Sequence, residues 1–479
     1  MTTTAEGAKA RSAQLEALLF EPRDAAALAA FRVLFGVVMA VSTARFLAYG
    51  WVEELYVAPR FLFTYWGFGW VRPLPGPAMV GLHVALLVAS VCVAAGLWYR
   101  VAIAAFALGF TYLQLLDVTN YLNHYYLVTL LGWLLVALPL GRVFSVDAWR
   151  KPGAALTHLP AWMTYLLRLQ VGIVYVFAGL AKANGDWLFH AQPLNLWLSA
   201  RTHVPLVGPL LDEPATAYAM SWAGFLFDTW VVAFLSWRPP RLWAYAVVLA
   251  FHAATQLLFP IGMFPTIMVT SALVFFPATY PRDVAAWVRR QAARLRLMQM
   301  ATAEPPSSLR CLPLPTPPRR RALVVALAAF AAVQIALPLR THLYGGNVLW
   351  HEQGMRFSWR VMLREKNGAV SYVVETGTRT FHVSPREYLT DRQLRDFSGQ
   401  PDLILQLAHR IAADYRARGH GDVRVHGEAL VSLNGRPAAP LIDPAVDLAQ
   451  TRDGLAPYSW VLPAPSSDPI HLRPLAWAR

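Results

Sequence analysis

The chain of 479 residues is poor in cysteine and in charge: it holds 2 cysteines, and Asp, Glu, Lys and Arg together make 15% of it. Cys92 lies in an apolar run and Cys311 in a basic loop, so neither a disulfide framework nor cysteine-held metal is expected. Acidic residues are scarcest, 28 against 42 Lys and Arg, for a formal net charge of +14. No glycine-rich phosphate loop, no nucleotide fingerprint, no dependable metal-ligand spacing and no repeat of fixed period is present. A cleavable signal peptide is not expected either, because the first apolar run starts only near Ala25 and is long enough to remain as an anchor.

Apolar residues are abundant instead. They make 56% of the chain, with 18 tryptophans and a mean hydropathy of +0.38. Several runs reach the roughly 20 residues needed to cross a bilayer. The fold class expected is an α-helical polytopic membrane bundle with a C-terminal extramembrane α+β domain rich in strands. Nine spans are expected, near 29–49, 79–97, 101–117, 125–140, 162–183, 217–236, 242–259, 262–277 and 322–339. An interfacial segment, 1–28, precedes the bundle of 29–279; a basic loop, 280–321, separates it from the last span, and a tail occupies 466–479. The aromatic and proline-rich stretch from Trp51 to Pro77 is too broken to cross and reads as an interfacial excursion, its rings forming a belt or a ligand wall.

The positive charge marks sidedness. Lys9, Arg11 and Arg23, then Arg100, then Arg142, Arg150 and Lys151, then Arg238 and Arg241, then the run from Arg282 through Arg294 and Arg296 to Arg321, fall in alternate loops. The opposite loops hold few Lys or Arg. With these loops cytoplasmic, an odd number of spans sends the region after 340 outside, and the charge needs no nucleic-acid partner. In that region strands are expected at 356–363, 369–375 and 379–384, with 366–368 as a turn. A helix is expected over 391–417, divided at 399–401, and a hairpin over 422–442 turning at Asn434-Gly435.

Polar groups at membrane depth are the functional candidates. Tyr175, Gly179 and Lys182 fall at i, i+4 and i+7, one helical face on which the small residue lets a neighbour approach. Lys182 either snorkels to the headgroups from its helix end or stands as a desolvated amine able to act as a base. Asn120, Asn123 and His124 are expected to share a helical face at the outer start of the fourth span; His252 and Gln256 sit at i and i+4 in the seventh, before a hairpin over 259–265. Three segments thus bring nitrogen-bearing groups to one depth, as a site facing a cavity would require. Asp228 is costly in a span unless paired, so pairing with a buried polar neighbour is expected; Arg32 is expected to snorkel.

These residues carry a resemblance. Leu122-Asn123-His124-Tyr125-Tyr126-Leu127, the run from Tyr175 to Lys182 with Asp186-Trp187, Phe251-His252 and the run from Gln256 to Phe264 resemble the vitamin K-dependent gamma-glutamyl carboxylases and their bacterial relatives, whose membrane part is the horizontally transferred transmembrane domain. The likeness continues through 343–350, Arg356-Phe357-Ser358-Trp359, Pro385-Arg386-Glu387-Tyr388 and Val431-Ser432-Leu433-Asn434, from about Ala25 to Pro463. It implies that Lys182 is the base that deprotonates vitamin K hydroquinone, that His124 is an essential histidine and that Asn123 assists at the quinone oxygen. It further implies His252, Gln256, Phe264 and Tyr175 at the quinone, and Trp359, Arg360 and Met362 at the glutamate.

The implied reaction oxygenates a reduced vitamin K or menaquinol-type quinone with O2 to its epoxide and adds CO2 to protein glutamate, with no metal and no biotin. Its partners would be a glutamate-containing peptide or protein and membrane lipid, its place a bacterial inner membrane. A carbon-bound proton beside a carboxylate is too weakly acidic for a side chain to remove, so the base must be made from oxygenation and shielded from water. The chain is shorter than the animal enzymes, lacks much of their luminal C-terminus and lacks a matching cysteine pair. Quinol oxygenation with another acceptor or none, and a quinone-binding protein without turnover, are the competing readings.

Overall fold

The computed structural model describes residues 11, 13–294, 310–377 and 379–470. Lys9, Arg296 and most of the expected tail lie outside these residues, as does the side chain of Arg294. The helices are α1 (Ala26–Ala48), α2 (Gly76–Ala95), α3 (Tyr99–Leu116), α4 (Asn123–Ala137), α5 (Trp162–Lys182), α6 (Gly185–His190), α7 (Pro214–Ser236), α8 (Arg241–Leu258), α9 (Phe264–Ala272), α10 (Tyr280–Arg294) and α11 (Pro317–Leu339), with shorter turns between them.

Among the described residues six helices are long and apolar enough to cross a membrane: α1, α2, α3, α5, α7 and α11. Nine spans are therefore not reached. Helix α4 has 15 residues, about 22 Å at 1.5 Å per residue, short of a hydrocarbon core of about 30 Å. Helix α8 is diluted by Arg241, His252 and Gln256. Helix α9 has 9 residues, and with the turn Leu273–Phe275 it bends by 99° onto α10; the count becomes seven if that pair is one span. The chain is a multi-pass membrane protein.

Glycine sets the closest seams. A Cβ on Gly36 would lie 2.5 Å from Ala94 N, and one on Gly179 would lie 2.7 Å from Thr229 N, so α1 meets α2 and α5 meets α7 backbone to backbone. Arg32 does not snorkel: it is 1% exposed and donates to the carbonyls of Leu140 at 2.9 Å, Val143 at 3.2 Å and Phe144 at 2.7 Å. Those carbonyls lie in the short helical turn Leu140–Arg142 that follows α4 and just past it, where the carbonyl end of a helical stretch favours a cation. At this end of the bundle β1 (Pro22–Asp24) pairs with β2 (His158–Pro160), and Asp24 meets Arg282 at 2.8 Å.

The opposite end carries the second domain. Strands β3 (Lys366–Thr376), β4 (Arg379–Val383), β5 (Val423–Leu433) and β6 (Ala439–Pro440) form an antiparallel sheet in the order β4-β3-β5-β6. Helices α12 (Asp391–Phe397) and α13 (Pro401–Ala417) accompany it, broken at 399–401 as expected. Every second residue of β5 is buried, the period of a strand with one face on a core, and Leu403, Ile404, Leu407 and Ile411 of α13 join the same hydrophobic cluster. Two local expectations fail. Residues 366–368 start β3 instead of turning, Lys366 pairing with Leu433 and Gly368 with Val431. The close packing of Ser398 O, 2.9 Å from where a Cβ on Gly368 would stand, explains the glycine without a turn. Residues 356–363 form no strand, because Phe357, Trp359 and Met362 have φ of 64°, 59° and 54°, left-handed values that break any pleat.

Polar clamps fix this domain on the bundle. Asp186 of α6 takes Arg436 bidentately, at 2.8 and 2.6 Å, and accepts from Asn434 at 2.9 Å. Gln393 donates to Phe61 O at 2.8 Å and to Asp117 at 3.1 Å, and Gln406 exchanges two 3.0 Å bonds with the backbone of Thr64.

Candidate functional site

Lys182, the last residue of α5, is 5% exposed and does not reach out to solvent. Its Nζ donates to Asp228 Oδ2 of α7 at 2.7 Å and stands 5.2 Å from the centre of the Trp187 ring. Gly179 makes this possible, since its missing side chain lets α7 come close enough at Thr229 to bring the neighbouring Asp228 under the amine. Tyr175, on the same face, bonds through its hydroxyl to His252 Nε2 of α8 at 3.1 Å. The Nδ1 of His252 is buried without a partner. These four side chains border a small chamber of about 70 Å³, whose other walls include Phe251, Phe259, Phe264 and Met362.

A larger cavity of about 410 Å³ adjoins it and is bordered by Asn120, Asn123 and His124. His124 is 6% exposed, lies edge-on to Tyr125 at 4.6 Å and near Phe264 at 5.9 Å, and has no protein hydrogen bond among the described residues. Both amide atoms of Asn120 are likewise buried and unpaired. Asn123 is engaged: it accepts from Tyr121 at 3.1 Å and donates to Arg360 O at 3.4 Å, holding a loop of the outer domain over the cavity. The Phe264 ring lies 5.8 Å from His252 and borders both spaces. It is a partition between the His124 cavity and the Lys182 chamber.

Above them a groove of about 590 Å³ runs between the bundle and the outer domain. Ile261 and Met362 border all three spaces. The groove is rich in cations: Arg201, Arg356, Arg360, Arg364, Lys366 and Arg395. Arg356 is bound to Asp402 at 2.5 Å, and Glu352 takes Arg364 at 2.8 Å and Lys366 at 3.0 Å. Arg360 has no carboxylate partner among the described residues; its Nη2 reaches Thr341 Oγ1 at 3.3 Å and its Nε is unpaired. Burial pushes the Lys366 ammonium down to about 8, against the pull of Glu352, so the groove gains a cation as pH falls through that value.

Most sequence candidates thus converge, but two do not. Gln256 is exposed and borders none of these spaces; Thr255, at i+3 from His252, lines the chamber instead. On a helix i+3 and i+4 lie on opposite sides of the i position, and the chamber opens on the i+3 side. Trp359 is 1% exposed and stacks on Tyr126 at 4.8 Å, so it buttresses the loop and meets no cavity described here. Asn120, expected on one helical face with Asn123 and His124, lies in the separate turn Val118–Asn120 because the extended Tyr121 and Leu122 interrupt the helix, yet it borders the same cavity. The sequence alone gives Asp228 no role at the site. The cost of an unpaired acid at membrane depth signalled that Asp228 has a partner, and could not say which.

A bundle of apolar helices thus buries an amine and a carboxylate below an arginine-rich groove, as a membrane-embedded site would. Residues 20–280 match the HTTM domain, and residues 319–467 match the vitamin K-dependent gamma-carboxylase lumenal domain. The chain belongs to the vitamin K-dependent gamma-carboxylase family. No solved structure matches it.

Proposed function

We propose that the protein is a quinol-dependent carboxylase: it couples oxygenation of a reduced naphthoquinone to addition of CO2 at the γ carbon of a glutamate in a peptide or protein. The observation that carries this reading is the buried Lys182 amine in a chamber adjoining both an apolar cavity and a cationic groove. A naphthoquinol of the vitamin K or menaquinol type supplies, with O2, the strong base that the γ proton requires.

The residues fit such a group. A cavity of about 150 Å³ holds benzene, so a larger fused ring suits the space of about 410 Å³ beside His124 better than the chamber of about 70 Å³. There the free nitrogens of His124 and the unpaired amide of Asn120 are the groups available to its oxygens. Phe264 and Met362 stand between the cavity and the chamber, so Lys182 would reach a ring hydroxyl once their side chains turned aside. Lys182 takes the proton there, while Tyr175 holds His252 in place. Arg360, without a carboxylate of its own, binds the glutamate in the groove, and Met362 shields the junction from water.

The membrane on this reading is a bacterial inner membrane, with the sheet domain outside, which requires the odd count of seven spans that the bent α9–α10 pair completes. A protease applied from the cytoplasmic side is expected to cut between Arg310 and Arg321 and to spare the chain after Gly345; the reverse pattern in sealed vesicles overturns this orientation. The reaction is tested by giving purified protein the reduced quinone, labelled bicarbonate and a glutamate-rich peptide, with epoxide and fixed label measured separately. Both products are expected. Epoxide without fixed label selects oxygenation without carboxylation, and the absence of both products refutes the proposal.

A further inference from the structure

Among the described residues Asp228 is the one carboxylate in contact with Lys182, and both side chains are over nine-tenths buried, at 7% and 9% exposure. An ammonium and a carboxylate 2.7 Å apart in an apolar chamber carry no net charge, and neither does the amine and carboxylic acid that one proton jump would make of them. In either form the pair holds one proton and has room for a second. We infer that the base of the quinol reaction is this pair, with Asp228 acting through Lys182 as the place where the proton comes to rest. The inference rests on the quinol reading above.

The step balances. The quinol O–H bond breaks, an N–H bond forms at Lys182, and the lysine passes one of its own protons to Asp228 as a new O–H bond. No electrons change hands, and the negative charge left on the quinolate is matched by the positive charge the pair acquires. A lone lysine could do this only after first losing a proton to solvent, so Asp228 extends the working range toward acid. The other titratable groups facing the pair are Tyr175 from α5 and His252 from α8, which bond to each other. Trp187 lies against the amine from α6. Helix α9 and the outer loop bring only apolar side chains to the chamber, among them Phe264, Met268, Val361 and Met362.

The test uses the full chain in lipid nanodiscs. Asp228→Asn is expected to lower quinol turnover at neutral pH by about a hundredfold or more, the lower range for loss of a proton-transfer group, and to regain activity as pH rises. Asp228→Glu keeps a carboxylate and should keep the wild-type pH profile. Infrared spectra of the quinone-free protein, wild type minus Asp228→Asn, should gain the band of a protonated buried carboxyl on acidification. An Asp228→Asn profile that overlays the wild type, or the absence of any protonated-carboxyl band across the whole pH range, overturns the inference. A wild-type protein without quinol turnover refutes the proposed function instead, and the infrared result still decides whether the pair takes a second proton.

Discussion

Lys182→Ala is expected to abolish both epoxidation and carboxylation, with turnover falling by about a thousandfold or more, within the range for loss of a general base. Quinone affinity should change little, because the ring fits the cavity beside His124 and the lysine borders the smaller chamber. The substitution removes the partner of Asp228, which would cost about 3–5 kcal/mol if the carboxylate stayed charged. That acid can take a proton and become neutral, so the folded state survives at lower stability. A small added amine should partly restore epoxidation by entering the space left behind, with rescue increasing as pH rises and more free amine forms. Lys182→Arg should fail despite its charge, since a guanidinium cannot release a proton to Asp228. Steady-state turnover, quinone binding and thermal unfolding measured together decide the matter. Normal turnover in either variant would end the proposed first step.

His124→Ala is expected to cut quinol turnover by about a hundredfold while leaving most of the protein folded. The ring makes no protein hydrogen bond among the described residues, so its removal orphans no partner. It borders a cavity of about 410 Å³, so truncation widens an existing space and should cost about 1–3 kcal/mol, less than a hole cut in a packed core. His124→Phe is the sharper variant: it keeps the ring against Tyr125 and Phe264 and removes only the nitrogens. It should be as stable as the wild type and as inactive as the alanine variant. Retained activity in His124→Phe, or a loss of folded protein that accounts for the whole loss of turnover, would assign the residue to packing.

The membrane bundle, the break at 399–401 and the hairpin at Asn434-Gly435 were legible because each is written in local chemistry. Apolar length makes a span, proline ends a helix, and glycine accepts the left-handed turn, with φ of 83° at Gly435. The face carrying Tyr175, Gly179 and Lys182 was legible for the same reason, since helical spacing alone places them together. Where a tertiary partner competes with local preference, the local signal loses. Lys366 to Gly368 reads as a turn, yet the ladder to β5 draws it into a strand. Arg32 reads as a residue reaching for headgroups, yet three carbonyls of the turn that follows α4 and the residues just past it hold it inside.

The site divides along the same line. Sequence by itself determined that nitrogen-bearing groups from α4, α5 and α8 lie at one depth of the bundle, because depth follows from position along a helix of known rise. It also determined that Asp228 could not stand alone in a span. Only the tertiary structure decided that its partner is Lys182, because that pairing depends on how closely two helices pass at Gly179 and on their rotation about their own axes. Rotation likewise decided that Thr255 and not Gln256 faces the chamber, a difference of one residue on one helix. The partition by Phe264, the placing of Met362 at the junction of three cavities and the burial of Trp359 against Tyr126 depend on contacts between segments far apart in the chain, such as His124 with Phe264 and Tyr126 with Trp359, which no local pattern encodes.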